Sequence, residues 1–330
     1  MRMNISDAST DGNGPAGATP VRDEKYFLDD GDCMFLVEGI FFKVHKSFLG
    51  RDPESMFCGM FSIPQVITSR QPTDLEPIQL AGDTADEFRA LCWAIYALPN
   101  EIHLQSTSSA DIPRLVNVAK MCHKYTLHVF ETWALDMIAA QGQDYLSICP
   151  ADILPRLMSL AAQCNHIQLL ALVETNWMTR IRAGLPCNEA LSAGEINGRR
   201  QFLVEVYHHL HKELCVSTLS PGSRFSHLHL TPQQLFRLLS GHTLLSNFWN
   251  HLCRDPVPQG NACFGHTRCR DSWALIPRDP ADITDITVAL RGVQTAVSAV
   301  NWDIHCTPQY LNQVVDGFNL EDYFFPAEGI

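Results

Sequence analysis

The chain has 330 residues, with 24 Lys+Arg against 36 Asp+Glu for a formal net charge of −12, 46% apolar residues and 18% charged ones. That much apolar material supports a real core and excludes disorder over most of the length, while the acidic balance argues against a nucleic-acid partner held by bulk charge. No uninterrupted apolar run approaches the roughly 20 residues needed to span a bilayer, so no membrane partner is expected.

Residues 1–24 are rich in Gly, Ala, Ser, Thr and Asp and read as a disordered tail without an apolar leader segment. Gly12-Asn13-Gly14-Pro15-Ala16-Gly17 matches G-x-G-x-x-G, but neither a strand before it nor a helix after it is expected. Order is expected from about Tyr26. Cys33–Val37 and Ile40–Val44 read as two strands joined by a tight Glu38-Gly39 turn. Asp52-Pro53 restarts the chain into a helix whose Met56, Phe57, Met60 and Phe61 share a face. A loop over 64–76 leads to a short strand at Ile78–Leu80. Thr84-Ala85-Asp86-Glu87 is a capping box, and Phe88, Leu91, Cys92 and Ile95 form the stripe of its helix, which Pro99 stops. Asp111-Ile112-Pro113 opens a further helix carrying Leu115, Val118, Ala119 and Cys122.

From about Tyr145 strand signals nearly vanish. Helices are predicted after Asp152, after Asn165 and over about 199–215, with a loop at 183–198 marked by Gly184, Pro186, Gly194 and Gly198. Thr231-Pro232 opens a helix that Gly241 is expected to end, and helical pattern returns from 281 to 325. The fold class is therefore α+β. A short sheet with helices occupies 25–142, and a mainly α-helical domain occupies 143–330.

Several motifs occur in a recognisable order: Gly31-Asp32-Cys33, then Phe42-Lys43-Val44-His45-Lys46-Ser47-Phe48-Leu49, then Ser55-x-Phe57 with Met60-Phe61-Ser62. Further on stand Phe88-x-x-Leu91-x-x-x-Ile95-Tyr96 and Ala119-x-x-Cys122-x-Lys124-Tyr125-x-Leu127. The segment resembles the BTB/POZ domain over about residues 25–140, and Ala81-Gly82-Asp83-Thr84 with Trp93-Ala94-Ile95-Tyr96-Ala97-Leu98-Pro99 looks especially like the BTB proteins of fungi. The resemblance implies a non-catalytic protein–protein interaction adaptor that forms a homodimer, one that buries on the order of 2,000 Å² or more if the pairing is obligate. It implies a charged pocket at the subunit boundary formed by Asp32 and Lys46; a local cap at Asp32 with a solvated Lys46 is the alternative. A surplus of apolar side chains near the start, the aromatic Phe27, Phe35, Phe41, Tyr26 and Phe48 with Leu28, supplies candidates for the self-interface. Two roles follow from the family: substrate adaptor of a cullin-type ubiquitin ligase, or dimeric scaffold in transcriptional regulation. Where the family often carries an apolar-x-acidic cullin motif, this chain reads Leu98-Pro99-Asn100-Glu101.

The 12 cysteines sit mostly among apolar neighbours and read as reduced thiols of a cytoplasmic or nuclear protein. Cys253, Cys263, His266 and Cys269 form the foremost metal candidate, a structural zinc set in a Pro/Gly-rich segment, with separate thiols or a disulfide as the alternatives. His208, His211 and Cys215 share a helical face and form a second, weaker candidate. Cys122-His123 and Cys164-Asn165-His166 place thiol and imidazole near each other, but neighbours on a helix point about 100° apart. No cofactor, catalytic residue or enzyme motif is expected. An enzyme would require an unrecognised site in the helical part.

Overall fold

The computed structural model describes residues 20–62, 76–216, 225–254, 266–276, 278–298 and 306–326. The Gly-rich motif at 12–17 and most of the loop at 64–76 lie outside the described residues. The protein is α+β and divides into two compact units, Met1–Cys149 with Gln163–Leu169, and Pro150–Ala162 with Leu170–Ile330.

In the first unit, strand β1 spans Val21–Phe27, β2 Cys33–Val37 and β3 Ile40–Val44. Helices α1 (Lys46–Leu49) and α2 (Met56–Ser62) lead to β4 (Ile78–Leu80). Then come α3 (Ala85–Tyr96), α4 (Pro99–Leu104), α5 (Ile112–Lys124) and α6 (His128–Ile148). The four strands form one mixed sheet in the order β1-β3-β2-β4, with β2 and β3 antiparallel and the other two pairs parallel. Glu38 and Gly39 both adopt positive φ (49° and 77°), the geometry that matches a two-residue turn to strand twist. The capping box predicted at Thr84–Glu87 forms in both directions, and Pro99 both follows one helix and opens the next.

Two expectations are corrected here. Strand β1 begins at Val21, inside the segment read as a tail. The buried Asp23 carboxylate accepts from the Lys25 and Tyr26 amides and from Arg89 Nε at 2.6 Å. A charge buried in the middle of the strand hides its alternation from sequence reading. The domain boundary expected at 142/143 falls within α6, which runs unbroken to Ile148.

One face of the sheet carries Phe35, Val37, Phe42 and Val44, all fully buried. Phe35 meets Phe57 and Phe88 at ring separations of 5.8 and 5.2 Å, and Phe57 stacks on Tyr125 at 4.6 Å. Burying each such side chain contributes roughly 1.5–3 kcal/mol.

The remaining helices are α7 (Ile153–Gln163), α8 (Ile167–Arg182), α9 (Asn188–Ile196), α10 (Arg200–Val216) and α11 (Pro232–Arg254). They are followed by α12 (His266–Leu275), α13 (Ile286–Ser298), α14 (Cys306–Gly317) and α15 (Leu320–Phe324). Short 3₁₀ turns occur at Phe225–Leu228 and Pro280–Asp285. The second unit centres on Trp177, Tyr207, Trp249 and Phe324, all buried.

Two glycines expected to mark chain breaks lie inside helices instead. The stretch 183–198 contains α9, and α11 continues through Gly241. At Gly194 a Cβ would come within 2.7 Å of Leu203 Cδ2, and at Gly241 within 2.3 Å of Phe324 Cδ1. Both glycines permit close approach of a neighbouring side chain rather than ending a helix.

The helices are joined by a recurrent turn. Thr126, Asn165 and Gly198 occupy the left-handed region (φ 56°, 53° and 63°) between α5 and α6, α7 and α8, and α9 and α10. Leu127 N donates to Cys122 O, and Arg199 N to Gly194 O, each five residues back, the bond of a Schellman cap. A β-branched residue is strained at positive φ, and Thr126 is held there by tertiary bonds. Its hydroxyl donates to Glu54 O at 2.8 Å and accepts from Met56 N at 3.1 Å.

Candidate functional site

The residues of the sequence motifs converge around the start of α1. Asp32 accepts the Lys46 backbone N–H at 2.7 Å, so the carboxylate caps this turn, and the Lys46 ammonium lies 5.7 Å from the Phe61 ring centre. His45 N–H donates to the Tyr96 hydroxyl at 2.9 Å, and its Nδ1 lies 3.0 Å from the same oxygen. Lys124 and Tyr125 both reach Asp83, at 2.6 and 2.5 Å.

Strand register places Phe27, Met34, Leu36 and Phe41 on the second face of the sheet, where each is only half-buried. Arg22 lies 4.6 Å from the Phe27 ring centre. Phe35 is not available to any surface, because its side chain is fully buried on the other face. Of the five aromatics singled out for an interface, Phe27, Phe41 and Phe48 keep exposed area, while Tyr26 is buried like Phe35.

A groove of about 430 Å³ is lined by Lys25, Tyr26, Arg89, Trp93, Glu101 and Arg114, among others. Its cations are engaged: Arg89 with Asp23 and Asp86, and Arg114 with Asp111 and the face of Trp93.

Of the foremost metal candidate, Cys253 lies at the end of α11, half-buried, and Cys269 is buried in α12. Cys263 and the His266 side chain lie outside the described residues. For the second candidate, α11 adds a ligand type that the sequence did not associate with it, since His242 Nδ1 sits 3.1 Å from His211 Nδ1. His211 Nε2 is 3.0 Å from the Ile283 carbonyl. A carbonyl only accepts, so the proton belongs on Nε2, and Nδ1 then accepts from His242. Cys215 Sγ lies 3.6 Å from the same Nε2. His211 is therefore neutral with both nitrogens in hydrogen bonds, although ligand atoms of His211, Cys215 and His242 lie within 4.8 Å of one another. Burial lowers the affinity of both imidazoles for protons, and it lowers His208 to about 4.

A different donor cluster is assembled in the first unit. His123 from the end of α5, Glu131 from the first turns of α6 and Cys164 from the α7–α8 turn bring one ligand atom each within 4.8 Å of one another. Each of the thiol–imidazole pairs adjacent in sequence contributes one member, and the pairing runs across the fold instead of along the chain. Burial, then the Glu131 charge and a hydrogen bond to the Glu131 carboxylate, push the Cys164 thiol up to about 12, and burial holds the Cys122 thiol well above its usual range. Neither thiol is poised as a nucleophile. The sequence reading overlooked Glu131 and His128. The local trace was the i, i+3 spacing of His128 and Glu131 at a helix start.

No family model, curated protein or solved structure matches the chain. No helix among the described residues is long and apolar enough to cross a membrane.

Proposed function

We propose that the protein is a non-catalytic interaction adaptor whose first unit is a BTB/POZ-like module that pairs with a second copy of itself. The observation that carries this reading is the set of Phe27, Met34, Leu36 and Phe41, half-buried around Lys43 on the second face of the sheet. Apolar side chains left partly wet on a flat surface favour association with a complementary face. The order of elements supports the same reading: a hairpin, two short helices, a strand parallel to β2, then paired helices. The contacts among Asp32, Lys46, His45 and Tyr96 also support it, because the motif residues hold one another in place. In this reading the protein acts in the cytoplasm or nucleus, and the helical unit presents a client or extends a ligase platform.

Light scattering at micromolar concentration tests it. The expected mass is twice 37.0 kDa. Phe27→Asp with Phe41→Asp should halve it while leaving the helical circular dichroism intact. A wild-type chain that is monomeric at that concentration would sink the proposal.

A further inference from the structure

We propose that His123, Glu131 and Cys164 bind a zinc ion, with His128 as the fourth donor. The observation behind it is a poorly satisfied carboxylate: Glu131 Oε2 is buried without a well-formed hydrogen bond, and the Cys164 thiol is a donor facing the same carboxylate. A buried carboxylate oxygen without a well-formed bond is unfavourable, and native folds rarely leave one. Two imidazoles flank this atom without bonding it. His123 Nδ1 lies 3.4 Å away and His128 Nδ1 4.0 Å away, both beyond the usual hydrogen-bond range.

Those separations suit a shared cation better than a proton. Zinc–nitrogen, zinc–oxygen and zinc–sulfur bonds of about 2.0–2.3 Å set tetrahedral ligand edges of about 3.3–3.8 Å. The His123–Glu131 separation falls in that range, and the three ligand atoms need only a small contraction around one centre. The charge also balances, because a thiolate and a carboxylate with two neutral imidazoles offset a divalent ion. As the sulfur–zinc bond forms, the Cys164 proton leaves to solvent. The His123 and His128 side chains are 42% and 59% exposed, which leaves an entry path from water. His128 lies outside the three-residue cluster and completes the sphere only by turning its 59% exposed side chain toward it; with that fourth donor the site is structural and pins the α5–α6 turn and the segment bearing Cys164 to one point. This inference is independent of the dimer reading.

The test is titration of the chelator-treated full chain with Co²⁺, then displacement by Zn²⁺. One equivalent should bind with tetrahedral visible bands and a thiolate charge-transfer band. Cys164→Ser should abolish the charge-transfer band, and His123→Ala and Glu131→Gln should each weaken zinc affinity by about 100-fold or more, judged from the 10- to 100-fold typical of outer-shell changes. Cys215→Ser and Cys269→Ser should leave the band unchanged. His123 is exposed enough that its variant keeps the fold, which circular dichroism would verify. Absence of stoichiometric binding would overturn the proposal, as would a thiolate band that survives Cys164→Ser and His123→Ala but disappears with Cys215 or Cys269.

Discussion

The Tyr125 hydroxyl donates to the Asp83 carboxylate at 2.5 Å, tying the end of α5 to the turn before α3 across 42 residues of chain. Lys124 adds an ion pair at 2.6 Å, and the Asp83 side chain is 1% exposed. Asp83→Asn keeps the shape and removes the charge that both donors address. The expected loss is about 1.5–3 kcal/mol, read as a lower urea midpoint with unchanged slope.

Arg89→Ala should release β1. Its guanidinium holds Asp23 at 2.6 Å and Asp86 at 2.5 Å, and Asp23 in turn organises the Lys25 and Tyr26 amides. Arg89 is partly solvated but Asp23 is buried and would lose its cation, so a loss of about 1–3 kcal/mol is expected. Hydrogen exchange should accelerate over Val21–Phe27 while α5 amides stay protected.

Stability of the second unit should fall as the medium is acidified from pH 6.5 toward 4. His208 is lowered to about 4 by burial first and by Lys212 next, with Asp285 opposing, and burial lowers its neighbours His211 and His242 as well. Above pH 6.5 both folded and unfolded forms carry a neutral imidazole. Below it the unfolded chain takes up the proton and is favoured. His208 alone contributes roughly 3 kcal/mol across that interval. His208→Asn should flatten the dependence in denaturation curves run from pH 7.5 to 4.5.

The two buried helix glycines should answer alanine differently. At Gly241 the new methyl would collide with the Phe324 ring at 2.3 and 2.5 Å, and the nearby Tyr323 carbonyl gives it no room. About 1–3 kcal/mol of overpacking is expected, partly offset by the helix preference of Ala. At Gly194 the methyl would meet Leu203 Cδ2 at 2.7 Å, Leu203 Cγ at 3.0 Å and the Phe202 ring at 3.2 Å, a milder clash with a more flexible side chain, so Gly194→Ala should cost less than Gly241→Ala. Thermal midpoints of the two variants measure the contrast.

What the sequence made legible was local. The Glu38-Gly39 turn, the Thr84–Glu87 box and the Asp111 cap, whose side chain accepts from Arg114 N, depend on residues a few positions apart. The α5 stripe of Leu115, Val118, Ala119 and Cys122 is fully buried. What it concealed was tertiary. Asp23 looks like a surface charge until Arg89, 66 residues later, is seen beside it. Gly194 and Gly241 look like stops because a glycine that ends a helix and one that admits a ring have the same local signature. His123, Glu131 and Cys164 come from three segments, and only the folded turns bring them together.

The left-handed turns at Thr126 and Gly198 have a kinetic consequence. Each folds a helix back on its immediate predecessor, α6 on α5 and α10 on α9, so much of the packing joins stretches close along the chain. Closing such short circuits costs little entropy, and these hairpins can consolidate while later residues are still being synthesised. The parallel pairing of β2 with β4 spans 43 residues from Phe35 to Ile78, a longer loop to close, so this contact is expected to form after the hairpins.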